Sequence, residues 1–237
     1  MEFNKSIILA LNILVLLLAA CQPDQRQPSA PVPPQNERSA DTNRTENTNR
    51  KPGFTEDYLN TNRLIWQKPE MIINLLGSLE NKTIADIGAG KGFFALRLAP
   101  KAGKVIAVDI DPRFTQYLDS LKRQVLPADM QDQLETRLAE PDDPHLRPGE
   151  VDIAMIVNTY MYMKNRVPYL RNLKEGLKEG GTLLIIDFKK KRTPLGPPST
   201  YRIPLYQVEE ELIEAGYENI QTNDTALDYQ YIIFAEK

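Results

Sequence analysis

Residues 84–99 read IADIGAGKGFFALRLA. A short apolar run reaches Asp86 and Ile87. Gly88, Gly90 and Gly92 then fall within five residues, and a helical pattern resumes at once. Glycines in such a strand-to-helix turn let the backbone bend sharply and approach a ligand closely. The turn therefore points to a nucleotide-like cofactor, and the sequence on either side bears on which one.

Downstream, apolar strands and helices alternate. TIADIG, KVIAVDID, LETRLAE, VDIAMIV and TLLIIDF read as strands. FFALRLAP, PRFTQYLDSLKRQV, VPYLRNLKEGLKEGG and QVEEELIEAGY read as helices, the third stopped by Gly180 and Gly181. FTEDYLNTNRLIWQ and KPEMIINLLGSL, upstream of the turn, also read as helices. This alternation predicts a parallel sheet covered on both faces. ENIQTND and DYQYIIFAEK have no helix between them and pair as a closing hairpin. The expected fold is thus α/β: a Rossmann-like three-layer sandwich with a mostly parallel seven-stranded sheet and an antiparallel C-terminal hairpin.

Two features separate the cofactor classes. Dinucleotide sites use G-x-G-x-x-G with pyrophosphate at the helix N-terminus. Here the spacing is G-A-G-K-G, tighter by one residue, and Asp86 precedes it. A carboxylate there repels a pyrophosphate and suits a ligand bearing an ammonium group. S-adenosylmethionine has such a group and no phosphate. Asp109 ends the second strand seventeen residues past Gly92, where a carboxylate accepts hydrogen bonds from ribose hydroxyls.

IADIGAGKG with VIAVDID resembles the motifs of class I S-adenosylmethionine-dependent methyltransferases. VDIAMIVNTYMYM, LKEGGTLLIIDF and ELIEAGY resemble later segments of that family in the same order, so the resemblance covers about residues 60–237. It implies that Asp86, Gly88, Gly90 and Gly92 line the methionine and ribose end, with Ala89 and Lys91 contributing backbone. It also implies that Asp109 binds the ribose diol, Ile110 flanks the adenine, and Glu140 or Asp142 lies near the adenine amino group. Asn158 would face the methyl donor, and the region around Trp66 would close over the cofactor or serve as core. Asp111 reads as the N-cap of the helix opened by Pro112.

Methyl transfer from a sulfonium is an in-line displacement that needs a positioned nucleophile and excluded water. A general base is optional. Asn158, Tyr160 and Tyr162 are the catalytic candidates, the tyrosines orienting a nucleophile or packing the pocket wall. Related sequences often carry a His in this stretch, which here has Met161 and Tyr162. His145, the one histidine, sits in a Pro/Asp-rich loop, and no metal-ligand spacing occurs. Lys189–Arg192 form a basic run at the ligand end of the sheet. Tyr201 and Arg202 lie in the proline-rich loop 194–204 that follows.

The first fifty residues differ from the rest. Residues 7–20 are apolar apart from Asn12, too short to span a bilayer, and match the apolar core of a secretory signal. Leu18–Cys21 reads LAAC and resembles the lipobox of bacterial lipoproteins, which implies cleavage before Cys21 and its acylation. Residues 22–53 contain one large aliphatic side chain, Val32, and read as a disordered tether. The expected organisation is a signal over 1–20, the lipidated Cys21 and tether over 21–53, and a methyltransferase domain over 54–237. The protein is then exported and membrane-anchored, in the periplasm, at the outer membrane or on the cell surface, with Gln22 after the Cys favouring the outer membrane. A net charge of −3 gives no sign of a nucleic-acid partner, and the expected acceptor is a small molecule or protein. Two other readings stand beside this one. A non-catalytic cofactor- or nucleoside-binding lipoprotein suits an exported chain that meets little cytosolic S-adenosylmethionine. A nicotinamide-dependent oxidoreductase fits the layout but not the glycine spacing.

Overall fold

The computed structural model describes residues 62–237, which belong to one compact unit spanning Pro52–Lys237. The signal, Cys21, the tether and the first part of the helix expected over 54–67 lie outside the described residues. In chain order the elements are α1 (Arg63–Gln67), α2 (Pro69–Leu75), β1 (Thr83–Ile87), α3 (Ala95–Leu98), β2 (Lys104–Asp109), α4 (Pro112–Val125) and β3 (Leu134–Leu138). There follow β4 (Val151–Val157), α5 (Arg166–Gly176), β5 (Leu177–Phe188), α6 (Leu205–Glu214), β6 (Glu218–Asn223) and β7 (Gln230–Glu236). Among the described residues no helix is long and apolar enough to cross a membrane.

One seven-stranded sheet has the order β3-β2-β1-β4-β5-β7-β6. The pairs among β1 to β5 are all parallel. Strand β7 inserts antiparallel between β5 and β6, so β6 is the edge strand opposite β3 and runs parallel to the first five. Successive side chains on a strand point to opposite faces, which divides the apolar runs between two cores. Ile84, Met155 and Leu184 meet α2, α3 and α4 through Ile72, Leu98 and Leu118. Ala85, Ala154 and Leu183 meet α5 and α6 through Leu170, Leu173 and Leu212. The result is three layers, as the sequence predicts.

Several boundaries differ from expectation, among them the end of α2, read to Leu79 and found at Leu75. The helix read as VPYLRNLKEGLKEGG ends at Gly176, and the chain is extended from Leu177 onward. Gly176 packs so closely on Leu146 that a Cβ would overlap it, and Leu177 is buried in register with Val151. Sheet pairing thus ends the helix before the two glycines. Helix α3 begins at Ala95, after the glycine turn whose Gly92 is left-handed (φ +81°).

The chain leaves β1 to build β2 and β3 on one side and returns to place β4 on the other. Crevices at such a reversal, beyond the carboxyl ends of the strands, are where open α/β sheets hold ligands. The glycine turn sits there.

Candidate functional site

Gly88, Gly90 and Gly92 all have positive φ, but they do different work. A Cβ on Gly88 would overlap the Thr159 side chain, which packs against it from the end of β4. Gly88 and Gly90 line a small cavity of about 40 Å³ with Ala89, Asp86, Arg63, Phe93, Phe94, Val157 and Thr159. Gly92 is outside that lining. A Cβ there would overlap Leu118 of α4, so this glycine serves helix–turn packing.

Asp86 is fully inside β1 and buried. Its Oδ2 accepts a hydrogen bond from the Ala95 N–H at the start of α3 (3.1 Å). Burial pushes its carboxyl up to about 7, with Arg63 opposing that shift. Arg63 stacks 4.0 Å from the Phe93 ring centroid and donates Nε to Gln67 Oε1 (2.5 Å). The cavity therefore carries an acidic and a basic group on aromatic walls. The zwitterionic amino-acid end of S-adenosylmethionine offers the complementary pair, an ammonium for Asp86 and a carboxylate for Arg63.

The elevated Asp86 carboxyl has a stability consequence. Between its unfolded value of 3.8 and about 7 the folded chain holds a proton that the unfolded chain releases. Stability therefore falls as pH rises across that window and levels off above it. Asp86→Asn keeps an acceptor for Ala95 and removes the buried charge. Its melting temperature should exceed the parent's by a margin that widens from pH 5 to pH 8. A constant margin would contradict this.

Asp109, at the end of β2, closes the other side of the turn. Its Oδ2 accepts from Gly90 N–H (2.8 Å) and its Oδ1 from Asp111 N–H (3.0 Å). Burial again raises its carboxyl above the usual range, with those backbone bonds working against it. Ile110 is exposed beside it. Asp111 caps α4, accepting from Arg113 N–H (2.9 Å). Glu140 and Asp142 are both exposed in the loop after β3. Asp142 Oδ1 accepts from Asn165 Nδ2 (3.0 Å), whereas no side chain among the described residues bonds the Glu140 carboxylate. His145 lies in the same loop with its ring against the Leu138 carbonyl (3.2 Å).

The three catalytic candidates separate. Asn158 follows β4 in a left-handed conformation (φ +58°), which Asn tolerates better than most residues. Its Oδ1 accepts from Gln67 Nε2 (3.4 Å) and from Gln230 Nε2, and Gln67 also donates to Gln230 Oε1 (3.0 Å). This buried amide cluster ties α1 to β4 and β7. Tyr160 packs in the core. It is fully buried on the α5–α6 side, and its hydroxyl bonds Glu211 Oε2 (2.5 Å). Burial and that carboxylate both drive its ionisation well above the ordinary range. Tyr162 is half exposed, with its ring 6.3 Å from that of Tyr201. Arg202 is buried and structural, donating to the carbonyls of Lys189, Lys191, Leu195 and Pro197.

Trp66 packs with Phe188 (centroids 5.5 Å) and Met161, and its Nε1–H is buried without an acceptor among the described residues. Leaving such a donor unsatisfied costs about 1–3 kcal/mol, so α1 docks on the site less tightly than its burial alone implies. Sequence reasoning did not find Arg63, Phe93, Phe94, Val157 or Thr159. Only the two phenylalanines, directly after the glycines, carried a local signal.

Residues 85–185 match the family described as a methyltransferase domain. No curated protein matches the sequence. Among solved structures, an S-adenosylmethionine-dependent methyltransferase from Aquifex aeolicus is 24% identical with a TM-score of 0.68, over 74% of this chain and 93% of its own. Another from Mesorhizobium loti is 15% identical with a TM-score of 0.59, over 71% and 96%. Phosphoethanolamine N-methyltransferase 2 of Haemonchus contortus, solved with S-adenosylmethionine, is 16% identical with a TM-score of 0.60, over 73% of this chain and 52% of its own. The fold is that of the class I methyltransferases.

Proposed function

We propose that this chain is an S-adenosylmethionine-dependent methyltransferase, held on a membrane through a lipidated Cys21. The observation that carries the catalytic part is that buried Asp86 and Arg63 line one cavity over the glycine turn. S-adenosylmethionine is the cofactor, and when bound it supplies an electrophilic methyl group. Asp86 holds its ammonium and Arg63 its carboxylate. Asp109 accepts from the ribose hydroxyls, and Ile110 flanks the adenine. Glu140, rather than the engaged Asp142, is free to meet the adenine amino group. Gly88 and Gly90 let the backbone approach. Phe93 and Phe94 exclude water, which favours displacement over hydrolysis. Asn158, fixed by Gln67 and Gln230, orients the donor end, and the acceptor nucleophile enters from the Tyr162 side.

The charge pairing has a direct test. Ammonium binding favours ionised Asp86, so complex formation near pH 7 releases a proton from it. Calorimetry of S-adenosylhomocysteine binding in buffers of different ionisation enthalpy should detect that proton for the parent and lose it in Asp86→Asn. The same release in both would contradict the assignment.

The cavity of about 40 Å³ is lined for the amino-acid end alone, since Asp109, Ile110 and Glu140 lie outside it. Arg63 and Trp66 both sit on α1, so a carboxylate held by Arg63 changes the surroundings of Trp66. Trp66 is the one tryptophan in the chain, so its fluorescence reports on that element alone. Titration with S-adenosylhomocysteine should shift its emission. A saturable calorimetric signal with unchanged emission would contradict that role of Arg63.

The anchor reading rests on LAAC at residues 18–21. Cys21→Ser should abolish metabolic labelling by a fatty acid and release the protein from the membrane fraction after signal cleavage. Labelling that persists would overturn it.

A further inference from the structure

The rim of the site beyond β4 and β5 is basic in a chain that is acidic overall. Residues 159–165 and 188–206 contain Lys164, Lys189, Lys190, Lys191, Arg192 and Arg202, and no Asp or Glu, against a net charge of −3 for the whole chain. Two of these cations turn inward. Arg202 gathers the carbonyls of its own loop, and Lys189 Nζ donates to the Leu227 carbonyl (2.8 Å) beside Asp224 and Asp228 of the β6–β7 turn. The remaining Lys164, Lys190, Lys191 and Arg192 are exposed, and none has an ion-pair partner among the described residues.

The loop that carries three of them is firmly held. Arg202 bonds five of its groups, the carbonyls of residues 189, 191, 195 and 197 and the Thr193 hydroxyl (2.7 Å). Gly196 lies against the Phe188 ring so closely that a Cβ would overlap it. The outward cations are thus presented on a preformed platform. Beside them Tyr162 and Tyr201 form an exposed aromatic pair, 48% and 55% accessible. Tyrosines with an apolar body and a polar tip, next to unpaired Lys and Arg, match the headgroup level of an anionic membrane.

We propose that this rim docks the domain on an anionic lipid bilayer, with Lys190, Lys191 and Arg192 over the headgroups and Tyr162 and Tyr201 at the interface. Given the methyltransferase reading, on which this second step rests, the acceptor is then a lipophilic molecule drawn from that membrane. The docking itself is independent of catalysis and of the lipid anchor.

The test uses residues 52–237, which hold the whole sheet and both cores and lack both Cys21 and the apolar stretch 7–20. The domain should co-sediment with vesicles of phosphatidylcholine containing 30% phosphatidylglycerol, and not with phosphatidylcholine alone. Each cation near such a surface strengthens binding about fivefold, so Lys190→Glu, Lys191→Glu and Arg192→Glu together should weaken it by on the order of a hundredfold or more. High salt should also release it, while S-adenosylhomocysteine affinity stays the same. Binding to a single-stranded oligonucleotide but not to vesicles would overturn the proposal, as would equal vesicle binding by the triple variant. Vesicle binding without S-adenosylhomocysteine binding would leave the docking surface standing and remove the catalytic reading.

Discussion

Replacing Asp109 by Ala is expected to lower affinity for S-adenosylhomocysteine by at least about a hundredfold. Hydrogen bonds to a charged acceptor contribute about 1.5–3 kcal/mol each, and a ribose diol offers two. The same carboxylate also anchors the turn through Gly90 N–H and fixes the start of the α4 cap through Asp111 N–H. Ala removes the ligand contact and both anchors. Asp109→Asn retains an acceptor for Gly90 and loses the charge, so it should fall between the two. Calorimetry measures the affinities, and a thermal melt on the same samples shows that the variants are folded. An Asp109→Ala protein that binds as tightly as the parent would remove Asp109 from the site.

Glu211→Ala is expected to be the most destabilising of the substitutions considered. Glu211 accepts from Arg166 Nε (2.8 Å) and Nη2 (2.6 Å), from Gln207 Nε2 (2.9 Å) and from the Tyr160 hydroxyl (2.5 Å). Burial raises its carboxyl, but those bonds, led by Arg166, outweigh it and hold the group below its ordinary value. Ala leaves the mostly buried guanidinium and the fully buried hydroxyl without their common acceptor. Breaking a buried pair in this way costs about 3–5 kcal/mol, and for a domain of this size the melting temperature should drop by about 10 °C. The cluster lies on the α5–α6 side of the sheet, away from the glycine turn, so cofactor affinity at low temperature should be retained. A melting temperature within a degree or two of the parent would show that the cluster is not structural.

The sheet was legible in the sequence because its signals are local. VIAVD, VDIAMIV and TLLIID are apolar on both faces, and each is bounded by turn residues. That pattern fits few elements other than a strand buried between helices. Asp86, the glycine turn and Asp109 were legible for the same reason. What escaped reading depends on distance or on register. Gln67 meets Gln230 across 163 positions, and no local pattern in the chain couples them. Arg63 lines one cavity with Asp86 only once α1 is laid over the turn. NTYMYM places tyrosines two apart, yet a 3-10 turn over Tyr160–Tyr162 sends one into the core and leaves the other half exposed. Gly92 belongs by spacing to the ligand turn. Its closeness to Leu118 depends on where α4 packs. The end of α5 escaped because Leu177 pairs with Val151, a contact that overrides a helical pattern continuing through Lys178 and Glu179.

The most direct measurement is calorimetry of the 52–237 domain with S-adenosylmethionine, S-adenosylhomocysteine and NADH. The Asp86–Arg63 cavity and Asp109 call for micromolar binding of the first two and none of NADH, whose pyrophosphate would meet the Asp86 carboxylate. Binding of NADH alone, or of none of the three, would contradict the assignment of this site to S-adenosylmethionine.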